Sequence, residues 1–208
     1  MMHPRVRLAV LSVATIVLVG LLIFVLAADP GGGTAKEQVT SGFAGSIRPQ
    51  GPAADFTLRD QDGEAVSVAD ERGRPVIVTF MYSTCENECP TMAAQIRGAL
   101  DDLGHDVPVL AVSVDPANDT PARARRFLAK QRLQGRASFL LGDTAQLQRV
   151  WRALGVQPQE PNGKEHSASV VVLDRDGRQR VGFPVDQLTP EALAHDVRAL
   201  ERSAAQGA

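Results

Sequence analysis

Cys85 and Cys89 are the residues best suited to chemistry, and they are the only cysteines in the 208 residues of this sequence. Three residues separate them in the segment MYSTCENECP. A pair at this spacing can form a structural disulfide, act as a redox dithiol, or give two thiolate ligands to a soft metal ion. A structural bridge would close a very small loop and gain less than the roughly 3 kcal/mol expected for a 15-residue loop. A purely structural disulfide is therefore disfavoured.

The position of the pair in the chain favours a chemical role. Cys85 follows an apolar run typical of a buried strand, and active-site groups of open α/β sheets lie beyond the carboxyl ends of strands. Pro90 disfavours a helical conformation at Cys89, so we expect both cysteines on the loop before the next helix. The positive end of that helix favours thiolates. Glu86 and Glu88 lie between the cysteines, and their charges are expected to raise the pKa of both thiols.

A third ligand would make a better copper site, and histidine is the natural candidate beside thiolates. The sequence has four histidines, of which His3 precedes a long apolar segment. His105 is expected on an exposed turn, and His195 on the surface of the last helix. His166 follows the loop PQEPNGKE and stands before the strand SASVVVLD. From the pattern alone, His166 is either a ligand or a surface histidine at the start of that strand.

Strand patterns and helix patterns alternate around these residues. A continuous apolar run at 75–82 predicts a strand buried on both faces, the segment at 108–115 predicts a second buried strand, and a shorter strand is predicted at 138–143. Thr120 and Thr189 are each followed by proline, which predicts the capped starts of two helices. The alternation ends in a hairpin and a final helix. This order predicts an α/β fold, a thioredoxin-like sandwich with a central mixed sheet.

The N-terminal part of the sequence predicts a membrane anchor. Residues 8–28 form an uncharged apolar run of 21 residues, close to the roughly 20 that cross a bilayer. Its length favours an uncleaved transmembrane helix over a signal sequence. Arginines before the run predict that residues 1–7 are cytoplasmic and that the rest is extracytoplasmic, in a single-pass protein of the cell membrane. Residues 29–53, rich in small residues and proline, are expected to be a flexible linker to a domain at 54–208.

The composition argues against nucleic acid as a partner. The formal net charge is −2, and aromatic residues make up 4% of the chain. Apart from one arginine-rich helix, the predicted domain has no basic cluster that could follow a phosphate backbone. Its few aromatic residues are scattered and predict no surface on which bases could stack.

Three segments, in order, resemble the SCO/SenC proteins, which are membrane-anchored thioredoxin-fold copper proteins that help to build the binuclear copper centre of cytochrome c oxidase. They are FTLRDQDGEAVSVADERGRPVIVTFMYSTCENECP, LAVSVDPANDTPARARRF with its VDP and DTP, and HSASVVVLDRDGR. The resemblance runs from about Ala54 to Leu200. One residue departs from it, because the family usually has proline where this chain has Glu86.

The resemblance implies that Cys85, Cys89 and His166 bind copper, with Cu(I) as the expected ion and Cu(II) as the further candidate. It implies a metallochaperone, not an enzyme, that delivers copper to the copper-binding subunit of cytochrome c oxidase or to another copper protein. The alternative is a membrane-anchored thiol-disulfide oxidoreductase whose redox pair reduces the cysteines of a copper-site partner. Metal ligation needs reduced sulfurs, so a thiol reductant is a further expected partner. Asp115 and Asp119 are expected to stabilise a turn.

Overall fold

The computed structural model describes residues 42–49, 51–156 and 169–206, all of which belong to one structural unit. Within these ranges, no helix is both long enough and apolar enough to cross a membrane. The predicted anchor at 8–28 and the predicted cytoplasmic segment at 1–7 lie outside the described residues. Both remain predictions.

The strands of the described residues are short and form two sheets. They are β1 (Ser46–Ile47), β2 (Thr57–Arg59), β3 (Ala65–Ser67), β4 (Val76–Met81), β5 (Val109–Ser113), β6 (Ser138–Leu140), β7 (Ser169–Leu173) and β8 (Gln179–Pro184). The larger sheet has the order β1-β8-β7-β4-β5-β6, and β2 and β3 form a separate hairpin. β4, β5 and β6 run parallel, whereas β7 runs antiparallel to β4. The sheet is therefore mixed.

Helices pack on both faces of the large sheet. The α-helices of the described residues are α1 (Glu88–Leu103), α2 (Pro121–Lys130), α3 (Thr144–Leu154) and α4 (Pro190–Gln206), and Val68–Glu71 and Val185–Gln187 are single 3-10 turns. α1, α2 and α4 share one hydrophobic core with the sheet, and α3 lies in the core on the other face. Thr120 caps α2 as predicted, and Asp143 and Gln146 form a capping box at α3.

The two central strands have the burial that their sequences predict. Every residue of β4 and β5 is buried. Along β4, Ile77 and Met81 face the core with α1, whereas Val78 and Phe80 face the core with α3. Because side chains alternate across a strand, a strand between two helical layers is apolar at most positions on both of its faces. These strands make a rigid support for the loops at their carboxyl ends.

The end of the predicted linker at 29–53 belongs to the folded domain. β1 pairs with β8, and the backbone N–H groups of Ala44 and Gly45 donate to the buried carboxylate of Asp196 at 2.7 and 2.9 Å. Gly45 permits this approach, since a Cβ there would lie 2.5 Å from a methyl carbon of Val181. Gly45 is one of the small residues that predicted a flexible linker, but here it is needed for close packing.

Replacing Asp196 by Ala should destabilise the domain by about 3 kcal/mol, because the buried N–H of Gly45 and the part-buried N–H of Ala44 lose a charged acceptor. Urea unfolding of the full chain, followed by circular dichroism, measures this loss. His195→Ala is the matched control, since it removes the exposed partner of the same carboxylate and should cost below about 1 kcal/mol. Equal losses in the two variants would contradict this account of Asp196.

Candidate functional site

The segment that carries the two cysteines joins the carboxyl end of β4 to α1. The backbone N–H of Cys85 donates to the carbonyl oxygen of Tyr82 at 3.2 Å, which turns the chain directly after the strand. The Cys85 side chain is 9% exposed, and Cys89 is fully buried. Of the two thiols, Cys85 is therefore the one that a partner or a metal ion can reach from solvent.

The sulfur of Cys85 accepts a hydrogen bond at the N-terminus of α1. The donor is the backbone N–H of Cys89, at 3.2 Å. The first N–H groups of a helix have no acceptor within the helix, and the N-cap residue Asn87 makes no side-chain capping bond. The Cys85 sulfur therefore takes the place of a capping oxygen, at the positive end of the helix dipole.

Cys89 lies in the first turn of α1, so the prediction that it precedes the helix is wrong. α1 begins at Glu88, and Pro90 occupies its first turn. Proline is tolerated there because its missing N–H would have had no partner within the helix. The bond from Cys89 to the Cys85 sulfur helps to hold the residue before the proline in place.

The two thiols differ strongly in acidity. The hydrogen bond from the Cys89 side chain, with backbone N–H groups of Cys89 and Asn87, lowers the pKa of Cys85 to about 5 although burial opposes the shift. The same hydrogen bond to Cys85, together with burial, raises the pKa of Cys89. At neutral pH, the pair therefore holds one negative charge, on Cys85, to which the Cys89 thiol donates.

Glu86 and Glu88 are exposed on either side of Asn87. The charge of Glu88 adds to the rise in the pKa of Cys89, as expected. The expectation fails for Cys85, whose pKa is lowered because the hydrogen bonds to its sulfur outweigh the opposing effect of burial. The carboxylates give the site a negative rim that would attract a cation.

Two of the four histidines, His105 and His195, lie on the surface of the described domain. His105 is exposed and pairs with Glu201 at 2.8 Å, which raises the pKa of His105. His195 is also exposed and pairs with Asp196 at 2.9 Å. Both agree with the predicted surface roles.

His166 lies outside the described residues, so its role as a ligand stays a prediction, and His3 lies outside them too. Within the described ranges, no group of three His, Cys, Asp or Glu side chains is placed to hold a metal ion.

The turn after β5 forms as its sequence predicts. It also makes one contact that the sequence does not predict. The carbonyl oxygen of Asp115 accepts backbone N–H groups of Asn118 and Asp119, at 3.1 and 2.9 Å. Asp119 is buried, and its carboxylate accepts the backbone N–H of Ser83 in the cysteine segment at 2.7 Å. No local signal could reveal this contact, because 36 residues separate the partners.

Comparison with known proteins identifies the family. The sequence profile described as SCO1/SenC matches residues 46–202 of this chain. This chain belongs to the SCO1/SenC family. The resemblance inferred from the three sequence segments is thereby confirmed.

Relatives of this SCO1/SenC chain agree in sequence and fold. The SCO1 protein homolog of Bacillus subtilis strain 168 is 27% identical over 153 residues, which cover 69% of this chain and 79% of that protein. The structure of Bradyrhizobium japonicum ScoI with copper bound has a TM-score of 0.58 at 29% identity, covering 72% of this chain and 99% of that one. BsSco, described as a member of the Sco family of cytochrome c oxidase assembly proteins with a disulfide switch, has a TM-score of 0.64 at 25% identity, covering 74% and 95%. The thioredoxin-like α/β fold with a mixed sheet is confirmed.

In this SCO1/SenC chain, Cys85 should be alkylated by iodoacetamide before Cys89. With a pKa of about 5, Cys85 is already thiolate at pH 7, so its rate should change by less than about twofold between pH 7 and pH 9. An ordinary cysteine of pKa about 8.5 would gain more than about tenfold over that range. Peptide mass spectrometry of the reduced protein measures both rates. Earlier modification of Cys89, or a steep rise at Cys85, would contradict the assigned charge.

Proposed function

We propose that this chain binds copper and delivers it to the copper centre of cytochrome c oxidase while that enzyme is assembled. The observation that carries the proposal is the Cys85–Cys89 pair, in which a thiolate and a thiol meet at the N-terminus of α1. Thiolate sulfur is the ligand that Cu(I) prefers. Family membership supports the proposal, as do a relative with copper bound and a relative described as an oxidase assembly protein.

The third ligand in this proposal is His166, and the course of β7 supports it. The carbonyl oxygen of Ser169, at the start of β7, accepts the hydroxyl of Thr79 in β4 at 3.4 Å. Thr79 lies towards the carboxyl end of β4, from which the chain continues to Cys85. His166 precedes Ser169 by three residues, a span of up to about 10 Å. The chain therefore enters β7 at the end of the sheet that carries the cysteines.

Copper is the cargo of this site, and the chain's own residues explain how it could be held and released. Cys85 lies close to the surface, so an acceptor's ligands can approach its sulfur and replace it step by step. Glu86 and Glu88 at the rim attract the cation before it is bound. A disulfide between Cys85 and Cys89 would remove both sulfur ligands, so loading requires a thiol reductant.

The proposal includes a location at the cell membrane. Residues 8–28 would anchor the chain, with residues 1–7 in the cytoplasm and the domain outside. The linker would then hold the site near copper-accepting subunits in the same bilayer, which raises the local concentration of donor around acceptor.

Replacing His166 by Ala should weaken Cu(I) binding by more than about tenfold, since even the loss of residues that only orient metal ligands costs 10- to 100-fold. Anaerobic competition with a Cu(I) chelator measures the affinity, and Cu(II) is titrated in parallel. His105→Ala is the matched control, because His105 is exposed and paired with Glu201. Unchanged affinity in His166→Ala would exclude the three-ligand site.

The unequal thiols favour one second candidate, reduction of a disulfide on a copper-site partner. The Cys85 thiolate would attack the partner disulfide, forming a mixed disulfide and releasing one partner thiolate. Cys89, once deprotonated, would then attack the Cys85 sulfur, releasing the second partner thiolate. The pair ends as a disulfide, and its two electrons pass to the partner. His166 has no part in these steps.

A reductase of this kind should be trapped by Cys89→Ser, because Cys85 still attacks but nothing resolves the mixed disulfide. Non-reducing electrophoresis with a disulfide-containing copper-acceptor domain detects the trapped species. Cys85→Ser should form none, and His166→Ala should reduce the acceptor at the wild-type rate. Lost reduction in His166→Ala would contradict this second candidate.

A further inference from the structure

Asp119 is a buried carboxylate, 8% exposed, that joins two separate parts of the fold. One carboxylate oxygen accepts the backbone N–H of Ser83 at 2.7 Å, and the other accepts the hydroxyl of Ser113 at 2.5 Å. Ser83 lies two residues before Cys85, and Ser113 is the last residue of β5. The side chain therefore ties the cysteine segment to a central strand.

The anchor at Ser113 is itself held in place. The indole N–H of Trp151 in α3 donates to the carbonyl oxygen of Ser113 at 3.0 Å, and the backbone N–H of Asp115 donates to its hydroxyl oxygen at 3.2 Å. Ser113 is fully buried. Asp119 thus holds the cysteine segment against a point fixed by β5 and α3.

The turn alone does not account for the Asp119 side chain. Asp115 already supports the turn through its carbonyl oxygen, and its carboxylate accepts the side-chain amide of Asn118 at 2.9 and 3.1 Å. Burial raises the pKa of Asp119, so the charged side chain costs free energy where it lies. Asp119 is costly to bury, and its carboxylate makes its hydrogen bonds outside its own turn. This combination suggests that Asp119 has a role at the cysteine segment, which it contacts.

We propose that Asp119 is the positioning residue of the copper site. By fixing Ser83, it sets where the chain leaves β4, so that the Cys85 sulfur lies at the N-terminus of α1 with the Cys89 N–H directed at it. The part of this inference that concerns copper affinity rests on the proposed function. The part that concerns the order of the cysteine segment does not.

The test compares Asp119→Asn with Asp174→Asn in the full chain. Asp174 is a matched control, since it is 9% exposed and accepts two backbone N–H groups, at 3.0 and 2.9 Å. It lies in the turn after β7, beyond the pairing of Leu173 with Val76, at the opposite end of β4 from the cysteines. Hydrogen exchange by mass spectrometry, without copper, reports the order of residues 82–92. Anaerobic chelator competition reports Cu(I) affinity.

Asp119→Asn should speed exchange in residues 82–92 by about tenfold or more, because the neutral amide accepts the Ser83 N–H more weakly than the carboxylate and has one accepting oxygen in place of two. Its Cu(I) affinity should fall by about 10- to 100-fold. Asp174→Asn should change neither property, although it also lowers stability. Ser113→Ala keeps the bond to Ser83 but removes the anchor of the Asp119 carboxylate, so it should speed exchange in residues 82–92 and weaken Cu(I) binding by smaller factors, about threefold each.

Each result decides one part of the inference. Unchanged exchange in Asp119→Asn, or the same acceleration in Asp174→Asn, would overturn the positioning role. Faster exchange with unchanged affinity would overturn its link to copper. If the wild type binds no Cu(I), the proposed function fails while the exchange data still decide the positioning role. If Asp119→Asn does not fold, Ser113→Ala still tests the positioning role, because unchanged exchange in residues 82–92 of that variant would contradict the anchoring of Ser83 through Asp119.

Discussion

The structure of the site depends on one hydrogen bond, from the backbone N–H of Cys89 to the sulfur of Cys85. A buried thiolate is unstable unless donors offset its lost hydration. The start of α1 supplies such donors, because its first N–H groups have no acceptor within the helix. The hydrogen bond from the Cys89 thiol contributes most to the lowered pKa of Cys85, and the backbone bond adds to it while capping the helix. The two thiols are therefore unequal, which suits both metal binding and disulfide exchange.

The sheet brings the other parts of the site to this helix start. β4 and β5 run parallel, so the cysteine segment and the turn that carries Asp119 leave the sheet at the same end. β7 is antiparallel to β4, so the chain enters it at that end. Residues far apart in the sequence meet because strand direction, not sequence distance, decides which loops are neighbours.

The sequence was informative where the physical signal is local. The apolar sequences at 75–82 and 108–115 predicted β4 and β5, and Thr120 predicted the start of α2, whereas the cysteine pair as the functional site stays a prediction. The failures involve contacts that no short pattern contains. Asp119 holds Ser83 across 36 residues, and Asp196 holds Gly45 across 151.

One failure arose from two rules that act on the same residue. Pro90 disfavours helix at the residue before it, yet it is well tolerated in the first turn. The bond from the Cys89 N–H to the Cys85 sulfur accompanies the helical outcome. Composition alone could not reveal this, because the acceptor is a cysteine and not one of the usual capping residues.

X-ray absorption spectroscopy of the Cu(I)-loaded chain decides whether Cys85, Cys89 and His166 form one copper site. We expect two sulfur ligands and one imidazole nitrogen, with the nitrogen lost in His166→Ala and both sulfurs lost in the double cysteine variant. A site with sulfur ligands alone, or a spectrum that His166→Ala leaves unchanged, would contradict it.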